Sequence, residues 1–540
     1  MKALSKNDSP CAAPSRRQMI SRHVGRMSCY GLLLPLLLSC TKKMTPEVDT
    51  AKDQSAANVS AAAFPVSPAG DVVGKLVVGY QGWFACKNDG SPRNSWVHWG
   101  SSPGGNAPSP GNQTFELWPD TREYTTTFAT GYANLGNGQP ANLFSSWTLQ
   151  TVNTHFRWMQ EYGIDCAAMQ RFGKSDAQKD GIAQRVRDAA QTYNRKFYVM
   201  YDISGWTNFQ TEIKTDWTNV IVNTLQLTAS SAYAKQNGKP VICIWGVGVS
   251  NRPGNATSWL DVINFFKNQG CYVIVGGPRD WRTQTANLPA FDASNMIMPW
   301  ATGTFSNITG ANNYASVVAA DFAYCNSHNI DYQAEVFPGF AWSNWKGGAQ
   351  NLIPRVHGDF MWQQLANIRN AGVPSVYVGM FDEYDEATAI AKAAENASMK
   401  PTNQYFLSLD ADGVAVSADF YLRLTGDGAK MIKGQTGLVW SHPTPHVSSS
   451  SNGVVFYADI NYNGAAGQPL AVGNYTQAQL VALGVTNDWA SSVKVPAGRT
   501  VIMYAGDNFT GTSWTRTSDT PSFLTLSPNA NDQISSVKVQ

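Results

Sequence analysis

Charged side chains are scarce in this sequence, and neither sign prevails. Lys, Arg, Asp and Glu make up 14% of the 540 residues, and the formal net charge is +2. A chain so close to neutral lacks the basic surface that binds polyanions, so we expect no nucleic-acid partner. Aromatic residues are plentiful instead, with 18 Trp and 21 Tyr. This combination is typical of proteins that bind neutral sugars, although a large barrel core also accounts for many aromatics.

Cysteine pairs at metal-binding spacing are absent as well. None of the 8 Cys forms a Cys-x-x-Cys pair or lies at zinc-ligand spacing from a His, so the sequence predicts no zinc site. Cys11 and Cys29 fall in the N-terminal segment described next. Three of the cysteines beyond Cys40 lie in apolar runs, where a free thiol packs as a small hydrophobe. One disulfide is possible among the remaining cysteines, but the sequence favours no pair. These cysteines are Cys86, Cys166, Cys243, Cys271 and Cys325.

A targeting segment precedes the folded chain. Residues 1–40 place basic side chains before the apolar run GLLLPLLLSC, which is too short to span a bilayer as a mature helix. Its end, LLSC, resembles a bacterial lipoprotein box, which implies that Cys40 carries lipid and anchors the chain to the outer membrane, on its periplasmic or cell-surface face. A plain secretory signal is the alternative. Residues 41–67 are polar and rich in Ala and Ser, which predicts a flexible tether.

Short apolar runs recur along the middle of the chain, most of them separated by amphipathic segments. Such alternation indicates parallel strands that are buried on both faces. Eight units of this kind predict a (β/α)8 TIM barrel over residues 68–440. The apolar runs are 75–83, 163–173, 196–206, 239–248, 270–281, 295–303, 331–342 and 373–386, and the clearest helices are 147–162, 181–194, 257–269 and 358–371.

The barrel predicts where a site lies, because sites in this fold form at the C-terminal ends of the strands. Polar and aromatic residues occur at these ends repeatedly. Any one of them could be a solvated loop residue, but together they predict a substrate-binding rim. The candidates are Trp83, Arg171, Asp202, Asp280, Trp300, Glu335 and Trp342.

Four acidic residues, which we call the acid run, follow the last apolar run: Asp382, Glu383, Asp385 and Glu386. Cleavage of a glycosidic bond needs one protonated and one ionised carboxyl group, and crowding of like charges separates their pKa values. A Glu-x-x-Glu pair at a strand end can aim both groups into one pocket. Two alternatives stay open. The run could be the solvated start of a helix, since EATAIAKAAENA has a helical composition, or it could bind Ca²⁺.

The segment FDEYDEATAI resembles FNEWHEGTQIE of glycoside hydrolase family 99, the endo-α-mannosidases and endo-α-mannanases. It keeps Phe381, Glu383, Glu386, Thr388 and Ile390. With HFRWMQEYGIDCAAMQRFG and GYQGWF, the resemblance covers about residues 68–435 and extends to a bacterial group related to families 71 and 99. It implies that Glu383 acts on the sugar's own 2-hydroxyl, which attacks C1. It also implies that Glu386 is general acid and then base, with no cofactor in catalysis.

The neighbours of this Glu pair depart from the family pattern. Asp382, Tyr384, Asp385, Ala387 and Ala391 stand where the family has Asn, Trp, His, Gly and Glu. These positions shape the sugar subsite, so Tyr384 is a further candidate substrate contact and the glycan stays open. Attack by the 2-hydroxyl requires it to lie trans to the leaving group, as in an α-mannoside. An α-glucan would need water as the nucleophile.

An internal duplication follows a Ser- and Pro-rich linker at residues 441–452. YADINYNG (457–464) recurs as YAGDNFTG (504–511), and NDWASSVKV (487–495) recurs as NDQISSVKV (531–539). Both copies resemble βγ-crystallin motifs, which implies an all-β Greek-key sandwich over residues 453–540. The resemblance also implies two bound Ca²⁺ ions, which prefer oxygen ligands. Those ligands would be the carboxylates of Asp488 and Asp532, the hydroxyls of Ser491 and Ser535, and the carbonyls of Trp489 and Gln533.

A simpler alternative for these segments is that Asn-Asp forms a turn and Ser-Ser starts a strand. For the whole chain, the sequence predicts a monomeric lipoprotein glycoside hydrolase that cleaves a neutral polysaccharide, such as an α-mannan or a related glycan. The alternative is a non-catalytic glycan-binding lipoprotein on a degenerate barrel.

Overall fold

The computed structural model describes residues 66–100, 106–448, 453–496 and 499–540. The predicted signal peptide, the predicted lipidation site Cys40 and residues 41–65 of the predicted tether lie outside the described residues. In the described part of the chain, no helix is both long enough and apolar enough to cross a membrane.

Parallel strands close into a barrel in the first part of the chain. β1 to β6 are Leu76–Tyr80, Cys166–Phe172, Lys196–Asp202, Lys239–Trp245, Tyr272–Pro278 and Met296–Trp300. β7 has two segments, Asp331–Tyr332 and Ala334–Val336, and β8 is Val376–Val378. The first segment of β7 pairs with β6 and the second with β8, which in turn pairs with β1. The predicted (β/α)8 fold is confirmed.

The barrel strands are mostly apolar because both of their faces are covered, and their few charged residues lie at or near the strand ends. All five residues of β1 are buried, as expected where one face meets the barrel interior and the other meets helices. The five described cysteines are buried and free. The disulfide that the sequence left open is therefore not formed among them.

Helices connect the strands, and four of them overlap the predicted segments 147–162, 181–194, 257–269 and 358–371. α1 to α4 are Leu149–Glu161, Ala177–Thr192, Phe209–Thr215 and Ala256–Asn268, with a π-helix at Asp216–Thr224 after α3. α5 to α9 are Leu288–Asp292, Ile308–Ser327, Ser343–Lys346, Asp359–Asn370 and Phe420–Ile432. The side chains of Asp176, Asn255 and Asn307 cap α2, α4 and α6 by accepting a backbone N–H of the first turn.

The stretch EATAIAKAAENA, residues 386–397, contains no α-helix, although all of it is described. Ala387 has a φ of 52°, and the N–H groups of Ile390 and Ala391 donate to the Phe381 carbonyl at 3.1 and 2.9 Å. These bonds to Phe381, the residue directly before the acid run, replace the helical pattern, because tertiary contacts override local propensity. The alternative that the acid run is a solvated helix start is therefore wrong.

The C-terminal part is all-β and has its own hydrophobic core. Its strands are β9 Val455–Tyr457, β10 Gly473–Tyr475, β11 Ser492–Lys494, β12 Val501–Gly506, β13 Thr510–Arg516 and β14 Ser536–Val539, with the short α10 at Gln477–Ala482. β9 pairs with β11, and a second antiparallel sheet has the order β10-β14-β12-β13. β10 belongs to the first sequence repeat but lies in the sheet of the second. A strand of the first repeat therefore completes the sheet of the second.

Candidate active site

Asp382 fixes the acid run to the end of β1. Its two carboxylate oxygens accept the backbone N–H groups of Gln81 and Gly82 at 2.7 and 2.9 Å. The N–H of Phe381 donates to the Gly79 carbonyl at 2.7 Å, which adds a third link to the same strand. Burial raises the pKa of Asp382 to about 6. The role of this side chain is to hold the loop that follows β8 against the barrel rim.

Glu383 lies within the barrel mouth and is almost wholly buried. Its Oε2 accepts a hydrogen bond from the Gln81 side-chain amide at 3.0 Å, and its Oε1 accepts the backbone N–H of Asp385 at 2.8 Å. Burial raises its pKa well above the ordinary value, and the negative charges of Asp385, Glu386 and Asp382 raise it further. Its carboxyl group is therefore fixed in orientation and sensitive to the charge of its neighbours.

Glu386 is the partly exposed member of the acid run. Burial raises its pKa to about 7, against the opposing charge of Lys346. Its backbone carbonyl accepts the N–H of Ala341 at 2.9 Å, which ties it to the loop after β7 that also carries Trp342 and Lys346. A carboxyl group with a pKa close to 7 is protonated in a large fraction of molecules at neutral pH, as a proton donor must be.

His98 also lies at this candidate site, although no motif in the sequence pointed to it. Its Nδ1 lies 2.7 Å from Oδ2 of Asp385. Its ring stacks on Trp83, with ring centroids 3.8 Å apart and an angle of 9° between the planes. Trp83 in turn stacks on Phe172 at the end of β2. An isolated His in a loop carries no spacing or periodicity, so only the folded chain reveals its partner.

Several buried polar atoms around the acid run have no hydrogen-bond partner among the described residues. They are Gln81 Oε1, Trp83 Nε1, Asp385 Oδ1 and Thr388 Oγ1. Gln81 contacts Glu383 directly, and the N–H of Thr388 donates to the Glu383 carbonyl at 3.1 Å. Buried polar groups in proteins are nearly always paired, and exceptions concentrate at functional sites. A ligand rich in hydroxyl groups is chemically suited to pair with these donors and acceptors.

Glu335 occupies the neighbouring part of the rim, at the end of β7. Its Oε2 accepts the N–H groups of Ala301 and Thr302, and its Oε1 accepts the Thr302 hydroxyl at 2.8 Å. Burial raises its pKa to about 8, although these donors oppose the shift. Gly379 provides the space, since a Cβ there would overlap Oε1 of Glu335.

Asp202 and Trp300 lie at the ends of β3 and β6. Asp202 accepts the backbone N–H of Ser204 at 2.7 Å and lies 3.9 Å from the Arg252 side chain. Burial raises its pKa. Trp300 packs edge-on against Trp245 at a centroid distance of 5.2 Å. Both stay candidate substrate contacts on the rim.

Two other sequence candidates have structural roles instead. Arg171 is 2% exposed, and its guanidinium binds both carboxylate oxygens of Asp216 at 2.7 Å and Asp180 at 2.8 Å. Tyr384 is fully buried, and its hydroxyl donates to the Lys392 carbonyl at 3.1 Å. We therefore correct the expectation that these two side chains contact substrate, because protein groups already engage them.

Asp280 is exposed and lies in the loop after β5, not among the residues that contact the acid run. Its side chain accepts from the Gln284 amide at 3.3 Å. It borders a separate cavity of about 460 Å³, whose other lining residues include Arg279, Arg282, Phe305 and Tyr314. No member of the acid run lines that cavity, so the structure does not bring Asp280 to the candidate site.

The duplicated segments of the C-terminal part meet each other. The Ser491 hydroxyl donates to Oδ1 of Asp532 at 3.1 Å, and the N–H of Asp532 donates to the Ala490 carbonyl. In the other direction, the N–H of Asp488 donates to the Ile534 carbonyl at 3.2 Å. No group of three or more His, Cys, Asp or Glu side chains in the described ranges is arranged to hold a metal ion.

A calcium ion, however, also takes hydroxyl and amide oxygens, and these are present. Near Asp532 lie the Ser491 hydroxyl and the buried Oδ1 of Asn531, which has no partner among the described residues. One carboxylate with several neutral oxygens is an acceptable donor set for Ca²⁺. The residues present at this motif therefore fit the ion that the sequence resemblance implies.

Comparison with known proteins supports both resemblances. No protein-family profile matches the chain. The GH99 endo-α-mannosidase from Bacteroides thetaiotaomicron, a solved structure, has a TM-score of 0.52 and 14% identity over 67% of this chain and 98% of that one. The same enzyme in complex with BIS-TRIS-propane has a TM-score of 0.51 and 13% identity, with the same coverage. At this identity, the similarity shows that the barrel has the fold of a family 99 glycoside hydrolase.

The C-terminal part has its own relatives. A βγ-crystallin domain from Clostridium beijerinckii, solved as a double mutant, is 55% identical over 16% of this chain and 94% of that one, with a TM-score of 0.15. Development-specific protein S from Myxococcus xanthus is 57% identical over 42 residues. That match spans 8% of this chain and about a quarter of the relative, 24% of its length. The two resemblances drawn from the sequence are confirmed.

Proposed function

We propose that this protein is a glycoside hydrolase that cleaves a neutral polysaccharide at the C-terminal mouth of its barrel. The observation that carries the proposal is the pair Glu383 and Glu386, held on one loop by Asp382 and bordered by unpartnered buried polar atoms. Cleavage of a glycosidic bond by two carboxyl groups requires one of them to be protonated and the other to be ionised. The similarity to family 99 enzymes in fold supports the reaction class.

Glu386 is the proton donor in this proposal. Its side chain is the partly exposed one, and its pKa of about 7 leaves a proton available at neutral pH. The proton passes from the Glu386 carboxyl to the glycosidic oxygen as the bond from that oxygen to C1 breaks. The leaving sugar then departs as a free hydroxyl, and Glu386 remains as a carboxylate that can accept a proton in the second step.

Glu383 is the base. With an α-mannoside, its carboxylate accepts the proton of the 2-hydroxyl while that oxygen bonds to C1, which gives a 1,2-anhydro sugar. Water then attacks C1, Glu386 accepts the water proton, and the 2-oxygen regains its proton from Glu383. The Gln81 amide at 3.0 Å and the Asp385 N–H at 2.8 Å orient the Glu383 carboxylate for this exchange. With an α-glucan, Glu383 would deprotonate water instead.

The proposal is tested with the chain that begins after the predicted signal peptide. We would screen it against α-mannans, α-glucans and glycans that contain arabinose or xylose, and measure release of reducing ends. Glu386→Gln keeps the shape of the side chain and removes its proton, so this variant should bind the accepted glycan and fail to cut it. Binding of a glycan without cleavage by the unaltered chain would favour the second candidate, a non-catalytic glycan-binding protein.

We also propose where the enzyme is located, which ions it binds and its oligomeric state. The lipoprotein-like segment ending at Cys40 supports export and lipid anchoring to the bacterial outer membrane. The paired Asn-Asp and Ser-Ser segments support two Ca²⁺ ions in the C-terminal part, where Asp488 and Asp532 each supply a carboxylate. The ions would stabilise that part and take no role in cleavage, since the proposed acid and base are both in the barrel. We propose a monomer.

A further inference from the structure

The roles proposed for Glu383 and Glu386 require that not all carboxyl groups of the acid run are ionised. Four carboxyl groups occupy residues 382–386, and three of them are 0–3% exposed. Neighbouring buried carboxylates repel one another, so they cannot all be ionised. Glu383 must nevertheless be ionised as the base while Glu386 keeps its proton. Some nearby group must therefore remove charge from the other members of the run.

Only two basic side chains among the described residues are seen to act on the acid run directly. Lys346 faces Glu386, and His98 Nδ1 lies 2.7 Å from Asp385 Oδ2. We propose that His98 and Asp385 together hold one additional proton, so that this pair is neutral and Asp385 adds no negative charge beside Glu383 and Glu386. His98 is then a positioning residue that acts through Asp385, outside the Glu-x-x-Glu motif.

Several contacts and an unusual backbone conformation fix the position of His98. Its ring is held between Asp385 and Trp83, and Trp83 is backed by Phe172. Its backbone has a φ of 65°, in the left-handed region that side chains other than glycine rarely adopt, and its carbonyl accepts the Thr114 hydroxyl. Backbone of this kind concentrates at functional sites, where surrounding contacts enforce it.

A structural histidine in the same barrel shows the contrast. His155 is fully buried, with Nδ1 3.0 Å from the Tyr80 hydroxyl and Nε2 2.8 Å from the Tyr124 hydroxyl. Both of its nitrogens are paired with neutral groups. His98 instead pairs one nitrogen with a carboxyl group, and its side chain is 30% exposed. His98 is therefore the imidazole of this region that touches the acid run.

The groups that surround the pair favour a neutral state. Burial, and to a smaller extent the positive charge of Arg93, lowers the pKa of the His98 imidazole to about 3. Burial and the charge of Glu386 raise the pKa of Asp385. Asp382 and Glu383 are the other carboxyl groups nearby. Both shifts oppose an isolated charge on either partner, so the shared proton lies between Asp385 Oδ2 and His98 Nδ1 while His98 Nε2 keeps its own.

Nitrogen NMR of the imidazoles tests this without any substrate. In the ¹⁵N-histidine-labelled chain, His98 is assigned as the signals that disappear in His98→Asn. We expect Nε2 of His98 to show the shift of a protonated nitrogen throughout the range of about pH 5 to 8. A bare Nε2 in that range would mean that the pair carries a net negative charge, and it would overturn the proposal whether or not the protein is an enzyme.

The catalytic consequence rests on the proposed function and is read from the pH profile of kcat/KM on the glycan found by the screen. His98→Asn removes the group that shares the proton, so Asp385 ionises at lower pH and both apparent pKa values of the profile should rise by about one unit. The double variant His98→Asn/Asp385→Asn has no charge at this pair and should restore the original positions.

A matched control comes from a second stacked histidine. His328 lies on the Tyr324 ring at 3.9 Å and 13°, on the exposed C-terminal end of α6. His328→Asn should leave the profile unchanged. If His98→Asn changes the maximal rate without moving the profile, or if the double variant behaves as His98→Asn alone, His98 only holds Asp385 in place and the shared proton is excluded.

Discussion

Glu335 lies against the bare face of Gly379, so that a Cβ on this glycine would overlap Oε1 of the glutamate and come 2.9 Å from the Thr302 hydroxyl. Glu335 lies in the last segment of β7, and Gly379 directly follows β8, only a few residues before the acid run. The contact therefore sets how closely these two neighbouring strand ends approach.

Gly379→Ala should destabilise the barrel because Glu335 has no free space to move into. Its carboxylate is held by Ala301 and Thr302, and forced overpacking of this kind costs about 1–3 kcal/mol. The measurement is thermal unfolding followed by circular dichroism. Gly437→Ala is the control, since that glycine is exposed and a Cβ there would meet nothing within 4 Å. Equal melting temperatures for the two variants would contradict the contact.

Glu335→Gln should stabilise the protein at pH 8 and have less effect at pH 5. The pKa of Glu335 is raised in the folded state to about 8 from an ordinary 4.5. Between those values the folded state holds a proton that the unfolded state has lost, so the free energy of unfolding falls as pH rises. Glutamine does not ionise, so the free energy of unfolding of Glu335→Gln does not fall in this way as pH rises. Its side-chain oxygen can still accept the N–H groups of Ala301 and Thr302.

The gain at pH 8 should be about 1–3 kcal/mol, measured by chemical denaturation at both pH values. Glu161→Gln, at an exposed position in α1, is the control and should show no such difference. A variant that is less stable than the original chain at pH 8 would mean that Glu335 is ionised in the folded protein.

Glu386→Gln should lower turnover of the accepted glycan by about 10²–10⁴-fold, the usual contribution of a general acid. An aryl glycoside with a good leaving group needs less protonation and should lose less. In the unaltered enzyme, the rate should fall as pH rises through the Glu386 pKa of about 7, since the acid form is lost there. Unchanged turnover in Glu386→Gln would end the assignment.

Calcium should bind the C-terminal part in about two equivalents, seen by titration calorimetry of the chain. Asp488→Ala and Asp532→Ala should each remove one. At a hundredfold excess over Kd, binding stabilises a folded state by about 2.7 kcal/mol. A domain of this size should then melt roughly 10 °C higher or more. Cleavage by the barrel should persist in a chelator. Loss of cleavage would instead indicate that Ca²⁺ binds at the acid run.

Cys40→Ser should release the protein from the membrane fraction of the exporting bacterium, because the lipid would have no attachment site. The comparison is the distribution of the unaltered and substituted chains between membrane and soluble fractions after export. An unaltered chain that is already soluble would favour the plain secretory signal.

The barrel could be predicted from sequence because its information is local. Runs such as that around β1 are apolar on both faces, and the amphipathic segments between them are long enough to be helices. The division of β7 into two segments was not visible in the sequence, since its first segment follows β6 and its second follows β8. That division depends on which neighbouring strand each segment of β7 pairs with in the closed barrel, and this pairing is not a local property of the sequence.

Residues of the candidate site could be proposed from the sequence only where a recognisable motif contains them. Glu383 and Glu386 could be named from spacing and resemblance, but the burial that raises the pKa of both side chains depends on the whole rim. His98 comes from a loop 287 positions away from Asp385 in sequence. Arg171 was named because it ends a strand, but Asp216, from the π-helix after α3, engages it. Long-range pairing of this kind leaves no trace in local composition.

The pairing between the two C-terminal repeats has a consequence for how this part of the chain folds. β10 of the first repeat completes the sheet of the second, and Val493 of the first pairs with Thr520 of the second. Neither repeat alone has a complete sheet to fold against. The two repeats must therefore fold together, and removal of either one would leave the other without strands that complete its fold.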